Sequence, residues 1–362
     1  MPDPKITAIP RLAEAGVPYE QLLGLAGVAL QAGLSVLVRG HPGVGKSTLA
    51  AELAGTLELP LIDIRLAQRD PADLGGIYFP DRERKVLDLF PPDWVRQACD
   101  APALIFLDEI NAGVTRLHQA AAYQIVLERR VGPFRFHPGT RVMAAGNLEE
   151  DQAIVSPLSS ALCNRFVHFT LRVDADSWLT WASGEGLHPT VLAYIARHGA
   201  EALYANEGDL AFPSPRSWAM AARLLAAATG DQSARLVAAC VGERAAHQLA
   251  SFERIFDRVP VASILREGHK MDFRRGRNAE PSFVYAAVFA VAAWLCSREP
   301  VSDEQLHHVV RFARSPGLDP EYVFLFLRQL KGAPGLLPRL QGLPAFRKLA
   351  GAMVDLHAAA WA

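Results

Sequence analysis

The stretch GHPGVGKST at 40–48 follows an apolar run, SVLVR at 35–39. Gly40, Gly45, Lys46 and Ser47 fit the spacing G-x-x-x-x-G-K-[ST], which cradles phosphate when it joins a strand to a helix. Glycines let successive backbone N–H groups turn inward around phosphate oxygens, and the following helix adds the positive end of its dipole. The expected nucleotide-binding segment is therefore Gly40, His41, Pro42, Gly43, Val44, Gly45, Lys46, Ser47 and Thr48. Lys46 is expected to reach the β- and γ-phosphates, and the Ser47 hydroxyl to ligate Mg²⁺.

About sixty residues further on comes LIFLDEIN, at 104–111. Four apolar residues make a buried strand, and two carboxylates emerge at its carboxyl end, where open α/β sheets bind ligands. Asp108 is expected to hold the Mg²⁺ water shell and Glu109 to polarise an attacking water. One carboxylate for metal and one for water suits hydrolysis, which a small-molecule kinase does not need. Neither N-K-x-D nor T-K-x-D is present, so ATP is preferred over GTP. The implied ligands are ATP and Mg²⁺.

These residues need a scaffold. The chain has 362 residues, half apolar and 21% charged, which is ordinary for a soluble globular protein. That length allows two or three domains. A net charge of −1 gives no global field to recruit nucleic acid or anionic lipid. Cys99, Cys163, Cys240 and Cys296 lack the close pairing of a zinc knuckle or disulfide framework and are expected reduced and buried. The N-terminal MPDPKITAIPRL has no apolar h-region, so no signal peptide is expected. The longest apolar run, 283–296, falls short of the ~18 residues that span a bilayer and reads as a buried helix. A cytoplasmic protein is expected, with no membrane span.

Strands are expected at 35–39, 61–65, 103–107, 141–145 and 166–171, with helices at 46–56, 92–99 and 115–128. Such alternation predicts a parallel sheet covered on both faces. Beyond 173 the strand signals stop, and Gly and Pro punctuate helical text. A small helical domain is expected at 173–262, a polar and basic linker or surface loop at 263–280, and further helices at 281–362. No internal repeat or low-complexity tract is evident.

GHPGVGKST with LIFLDEIN resembles the AAA+ ATPases, and three further stretches resemble their MoxR-like branch. AQRDPADLGGIYFP (67–80) is similar to the segment after the second strand, VMAAGNLEED (142–151) to the sensor-1 strand, and FPSPRSWAMAARLL (212–225) to the sensor-2 helix. The pieces at 165–182 and 241–260 also look like the family, so the resemblance covers about 20–262. It implies an α/β P-loop core at 1–172 with a parallel five-stranded sheet and an α-helical lid at 173–262, while the helices expected at 281–362 lie beyond it as a C-terminal helical extension.

The resemblance also implies residue roles. Asn147, at the tip of an apolar strand, would orient the water against the γ-phosphate. Arg165 would project into a neighbouring subunit's nucleotide, where a guanidinium spreads over phosphoryl oxygens as charge moves. The family often has Asp before that arginine, whereas Asn164 stands here. Arg216, beside a Pro215 suited to a helix's first position, would couple nucleotide state to the angle between the two domains. Arg129 and Arg130 end a helix, where cations are favoured anyway, so a second trans-acting role is left open.

At 74–94, IYF and VLDLF flank a charged DRERK turn, as in a hairpin. MoxR-like proteins carry a helix-2 insert here that points toward the central channel of the ring. Tyr78 and Phe79 would be its contacts with a threaded or prodded partner. A hairpin packing on its own core is the alternative. A second hairpin is expected at 131–146, the family's pre-sensor-1 element. MoxR-like ATPases commonly act with a separate von Willebrand A domain protein, and the metal-site signature D-x-S-x-S of that domain is absent from this chain.

The combined reading is an ATPase acting as a homo-oligomer, a hexameric ring, that remodels a partner protein. A nucleic-acid motor on the same fold would need a basic channel. The cations at 266–277 permit that, but a solvated linker explains them as well. A P-loop small-molecule kinase would work alone. A non-hydrolysing scaffold conflicts with Lys46, Asp108 and Glu109 being present together.

Overall fold

The computed structural model describes residues 16–111, 115–148, 158–228, 231–297, 300–330, 333 and 335–351. These divide into two compact units between Val173 and Asp174.

The first unit opens with helix α1 (Tyr19–Gln31), followed by β1 (Ser35–Arg39), α2 (Lys46–Thr56) and β2 (Leu61–Arg65). A short helix α3 (Pro71–Gly75) leads into strands β3 (Ile77–Asp81) and β4 (Val86–Phe90), then α4 (Asp93–Asp100) and β5 (Leu104–Asp108). After α5 (Arg116–Tyr123) come the two-residue strands β6 (Arg130–Val131) and β7 (Phe134–Arg135), then β8 (Arg141–Gly146). Helix α6 (Ser160–Cys163) and β9 (Phe166–Thr170) complete the unit.

Five strands make one parallel sheet in the order β2-β5-β8-β1-β9. The alternation of the strands sorts its two faces. Leu37, Ile64, Ile105, Leu107 and Ala144 pack with Trp94 of α4 and Ala122 of α5. Helices α1 and α2 cover other positions of β1, β5 and β8. The three central strands β1, β5 and β8 are buried on both faces and so read as largely apolar runs, whereas the edge strand β2 alternates exposed and buried residues. Fully burying one such Leu or Ile contributes about 1.5–3 kcal/mol.

The second hairpin expected at 131–146 is shorter. It consists of β6 and β7 alone, paired antiparallel with Val131 opposite Phe134. β8 instead enters the central sheet between β5 and β1. Val142, Met143, Ala144 and Ala145 are fully buried there, so an exposed hairpin arm would forfeit that burial. The helix expected at 115–128 keeps α-geometry only to Tyr123, and a π-helical turn takes Gln124–Glu128. Arg129 then adopts a left-handed backbone, φ +52°.

The second unit is helical. It comprises α7 (Ala175–Gly184), α8 (Pro189–His198), α9 (Ala200–Leu203), α10 (Pro215–Ala227), α11 (Asp231–Val241), α12 (Glu243–Phe256) and α13 (Val261–Arg266). It continues with α14 (Pro281–Cys296), α15 (Asp303–Ala313), α16 (Pro320–Gln329) and α17 (Leu336–Gly342). The apolar run of α14 is buried against α8, α12 and α16. Among the described residues no helix is long and apolar enough to cross a membrane.

The stretch expected as a linker, 263–280, is packed into this unit. Met271 and Phe273 are buried, and Phe273 N–H donates to the Pro316 carbonyl at 2.7 Å. Two apolar side chains in a basic stretch anchor it, and the charges stay at the surface. The four cysteines are free but half-buried rather than buried. The burial they have pushes the thiols of Cys99, Cys240 and Cys296 upward. The first residues of the expected α/β core, 1–15, and the end of the C-terminal region, 352–362, lie outside the described residues, as do 149–151 of the sensor-like stretch.

Candidate functional site

The loop 40–45 turns sharply between β1 and α2. Gly43 and Gly45 have φ +77° and +104°, a backbone region that side chains disfavour. Gly40 has no room either, since a Cβ there would sit 3.1 Å from the Leu171 carbonyl oxygen. Lys46 and Ser47 begin α2, with Gly45 as its N-cap. Thr48 is exposed one residue further into the helix.

β1, β5 and β8 are neighbours, so their carboxyl ends bring distant residues together. The Lys46 ammonium donates to the Gly40 carbonyl at 2.6 Å, the His41 carbonyl at 3.0 Å and Asn147 Oδ1 at 2.9 Å. The Ser47 hydroxyl donates to Asp108 Oδ2 at 3.0 Å. Asp108 is buried, and its other oxygen accepts the Glu109 N–H at 2.9 Å. Glu109 has φ +56°, uncommon for a residue with a side chain and of order 1–3 kcal/mol in strain. Such strain recurs where a catalytic group must be aimed.

A charged lysine thus spends its donors on acceptors that phosphate oxygens would replace. Ser47 and Asp108 form a pair of oxygen donors at hydrogen-bond distance, which suits Mg²⁺, a hard cation that takes few protein oxygens and keeps its waters.

The sequence did not point to Asn111. It is buried, and its side chain clamps the strand tip. Asn147 N–H donates to Asn111 Oδ1 at 3.0 Å, and Asn111 Nδ2 donates to the Asn147 carbonyl at 2.9 Å. Gly146 is needed beside it, because a Cβ there would lie 2.8 Å from Asn111 Oδ1. The clue was position, since Asn111 closes LIFLDEIN two residues after the carboxylate pair. Tyr19 was also missed. Its ring edge lies 3.7 Å from where a Gly45 Cβ would be, and its hydroxyl donates to Glu52 at 2.8 Å. Burial, then Glu52, pushes that phenol upward.

Of the other predicted residues, Arg165, Arg129 and Arg130 belong to the first unit and Arg216 to the second. Arg165 follows α6 and is exposed. Its side chain makes no hydrogen bond or ion pair with a described residue, while its N–H donates to the Leu162 carbonyl at 3.1 Å. Arg216, in the second unit, is exposed at the second position of α10, behind Pro215 and the capping Ser214. Arg129 is tied within its own chain, donating to the Gly33 carbonyl at 3.1 Å and Ser35 Oγ at 3.0 Å. Burial first, and Arg141 second, pulls its guanidinium down to about 10. Arg130 pairs with Glu128 at 2.5 Å.

β3 and β4 form an antiparallel hairpin with Ile77 opposite Phe90. Tyr78 and Phe79 are 59% and 51% exposed. Ile77, Val86, Leu87 and Phe90 are exposed as well, so the hairpin does not bury a core of its own. An edge-on contact between Phe79 and Phe90, centroids 5.0 Å apart, holds the rings.

Residues 36–171 match the family described as ATPase family associated with various cellular activities (AAA). Over those residues the chain is similar to the AAA domain. The phosphate loop and the strand-end carboxylates fall inside the matched residues, as does the parallel sheet from Val36 onward. Among curated proteins, the ribosome biogenesis ATPase RIX7 of Saccharomyces cerevisiae is 40% identical over 96 residues, 26% of this chain and 10% of that protein. Nuclear valosin-containing protein-like of Mus musculus is 33% identical over 96 residues, again 26% and 10%. The chain therefore spans about a tenth of the length of these relatives. Among solved structures, the RuvB Holliday junction branch migration motor of Thermotoga maritima aligns at 16% identity over 83% of this chain and 89% of that one, with a TM-score of 0.38.

Proposed function

We propose that this chain is a Mg²⁺-dependent ATPase of the MoxR-like AAA+ branch, working in the cytoplasm as a hexameric ring that remodels a partner protein, a von Willebrand A domain protein being the partner the family resemblance implies. The observation that carries the hydrolytic reading is the meeting of Lys46, Ser47, Asp108, Glu109 and Asn147 at adjacent strand ends.

In this reading the loop N–H groups and Lys46 hold the phosphates. Ser47 and Asp108 would hold Mg²⁺, which would neutralise phosphate charge. Glu109 takes the proton from the attacking water, and Asn147 fixes that water against the γ-phosphate. The exposed Arg165 suits a guanidinium that completes the site of a neighbouring copy. Arg216 would report the nucleotide to the helical unit. Tyr78 and Phe79, apolar and unburied, would grip the partner chain.

The test separates binding from chemistry. Lys46→Ala should abolish binding of a fluorescent ATP analogue. Glu109→Gln should retain binding while lowering turnover by about 10²–10⁴-fold. Equal turnover in Glu109→Gln and the parent chain would remove the hydrolytic assignment.

A further inference from the structure

The basic stretch around 266–277 is unused by the ATPase reading, and it is packed rather than loose. His308 Nδ1 lies 2.9 Å from the Leu265 carbonyl, Arg311 donates to the Gly268 carbonyl at 3.0 Å, and Phe273 is bonded to Pro316. These ties hold the segment against α15. Two concavities meet at Met271. One, of about 340 Å³, is lined by Lys270, Arg311 and Arg314 over an apolar floor of Met271, Val310 and Ala345. The other, of about 330 Å³, is lined by Arg258 and Arg277 with the carboxylate of Glu280 and the apolar Ile255, Met271 and Phe283.

No carboxylate lines the first concavity. Lys270, Arg258, Arg277 and Arg314 make no side-chain ion pair with any described residue. Arg274, in contrast, is neutralised by two 3.0 Å bonds to Asp272. The chain as a whole is close to neutral, so this is a local concentration of uncompensated cations.

We propose that this paired groove binds an acidic protein segment in which apolar side chains alternate with carboxylates. Cations at the rim match the carboxylates, and the apolar floors match the side chains between them. A nucleic-acid backbone would satisfy the cations but leave the apolar lining of both concavities without a partner, and of the rings that could stack on a base, His269, His307 and Phe283, the last is buried. The groove lies within the second unit, so its occupancy does not depend on the ATPase reading.

The intact chain, free of nucleotide, is titrated against a short fluorescein-labelled peptide of aspartates interspersed with leucines, followed by anisotropy. Saturable binding that weakens with salt is expected, along with a loss of about fivefold for each charge removed in Arg314→Ala and Lys270→Ala. A peptide with serine in place of leucine should bind more weakly. Thermal melts of the variants, matched to the parent, keep a folding defect from being read as lost binding. The absence of saturable binding at low salt, indifference to both substitutions, or tighter binding of a single-stranded oligonucleotide through the same residues would each overturn the proposal.

Discussion

The Lys46 ammonium lies 2.9 Å from Asn147 Oδ1, joining the start of α2 to the tip of β8. In the proposed reading the cation that would hold a nucleotide donates to the amide that would orient the water, and phosphate oxygens would compete with that amide and two backbone carbonyls for its donors. Removing the amide deletes one competitor for the lysine and one director of the water. Asn147→Ala is expected to leave ATP affinity unchanged or slightly tighter while lowering kcat by about 10²-fold, a typical loss for one aligned donor. Equilibrium binding measured beside single-turnover rates checks this.

Gly146 is an independent test of the clamp that Asn111 places on that strand tip. A methyl group there would sit 2.8 Å from Asn111 Oδ1, too close for contact. Gly146→Ala should cost about 1–3 kcal/mol of stability, an ordinary penalty for overpacking. It should also lower kcat, because Asn147 is aimed through its own backbone bonds to Asn111. Denaturant unfolding with parallel turnover measurements decides whether both effects appear.

The hairpin of β3 and β4 should behave oppositely. Its aromatic side chains are more than half exposed, so Tyr78→Ser and Phe79→Ser remove little buried area. Basal turnover and melting temperature are expected to stay near those of the parent chain. Stimulation of turnover by a protein partner should disappear. The measurement is turnover with and without that partner, in each variant.

Much of this arrangement was legible in the residues themselves. The bounds of β1, α2 and β2 follow from the sequence directly, because an apolar run and a glycine loop announce themselves locally. The phosphate loop and the carboxylate pair could be read for the same reason, as each is a short motif. Asn111 could not, since its role is a contact with Asn147 across 36 residues and only the neighbouring of β5 and β8 creates it. Helix α1 (Tyr19–Gln31) went unread because, unlike α2, it follows no glycine motif, and its Pro18 N-cap makes no side-chain hydrogen bond. The 131–146 stretch misled because its turn residues, HPGT, separate a short hairpin from a core strand. Local turn chemistry does not reveal which strand a segment will pair with. The basic stretch at 266–280 looked like a linker because Met271 and Phe273 are its only buried apolar side chains, too few among many charges to leave a periodic signal, and its other ties include bonds to distant residues of α15 and beyond.

The central claim is that the site is completed by a neighbouring copy through Arg165. ATP turnover per chain, measured across a wide range of protein concentration with Mg²⁺ present, tests it most directly. Specific activity should rise with concentration and then saturate. Arg165→Ala should lower the plateau by about 10³-fold or more without removing ATP binding. Turnover per chain that stays flat from the most dilute sample to the most concentrated would mean that each chain holds a whole site, and would contradict the ring.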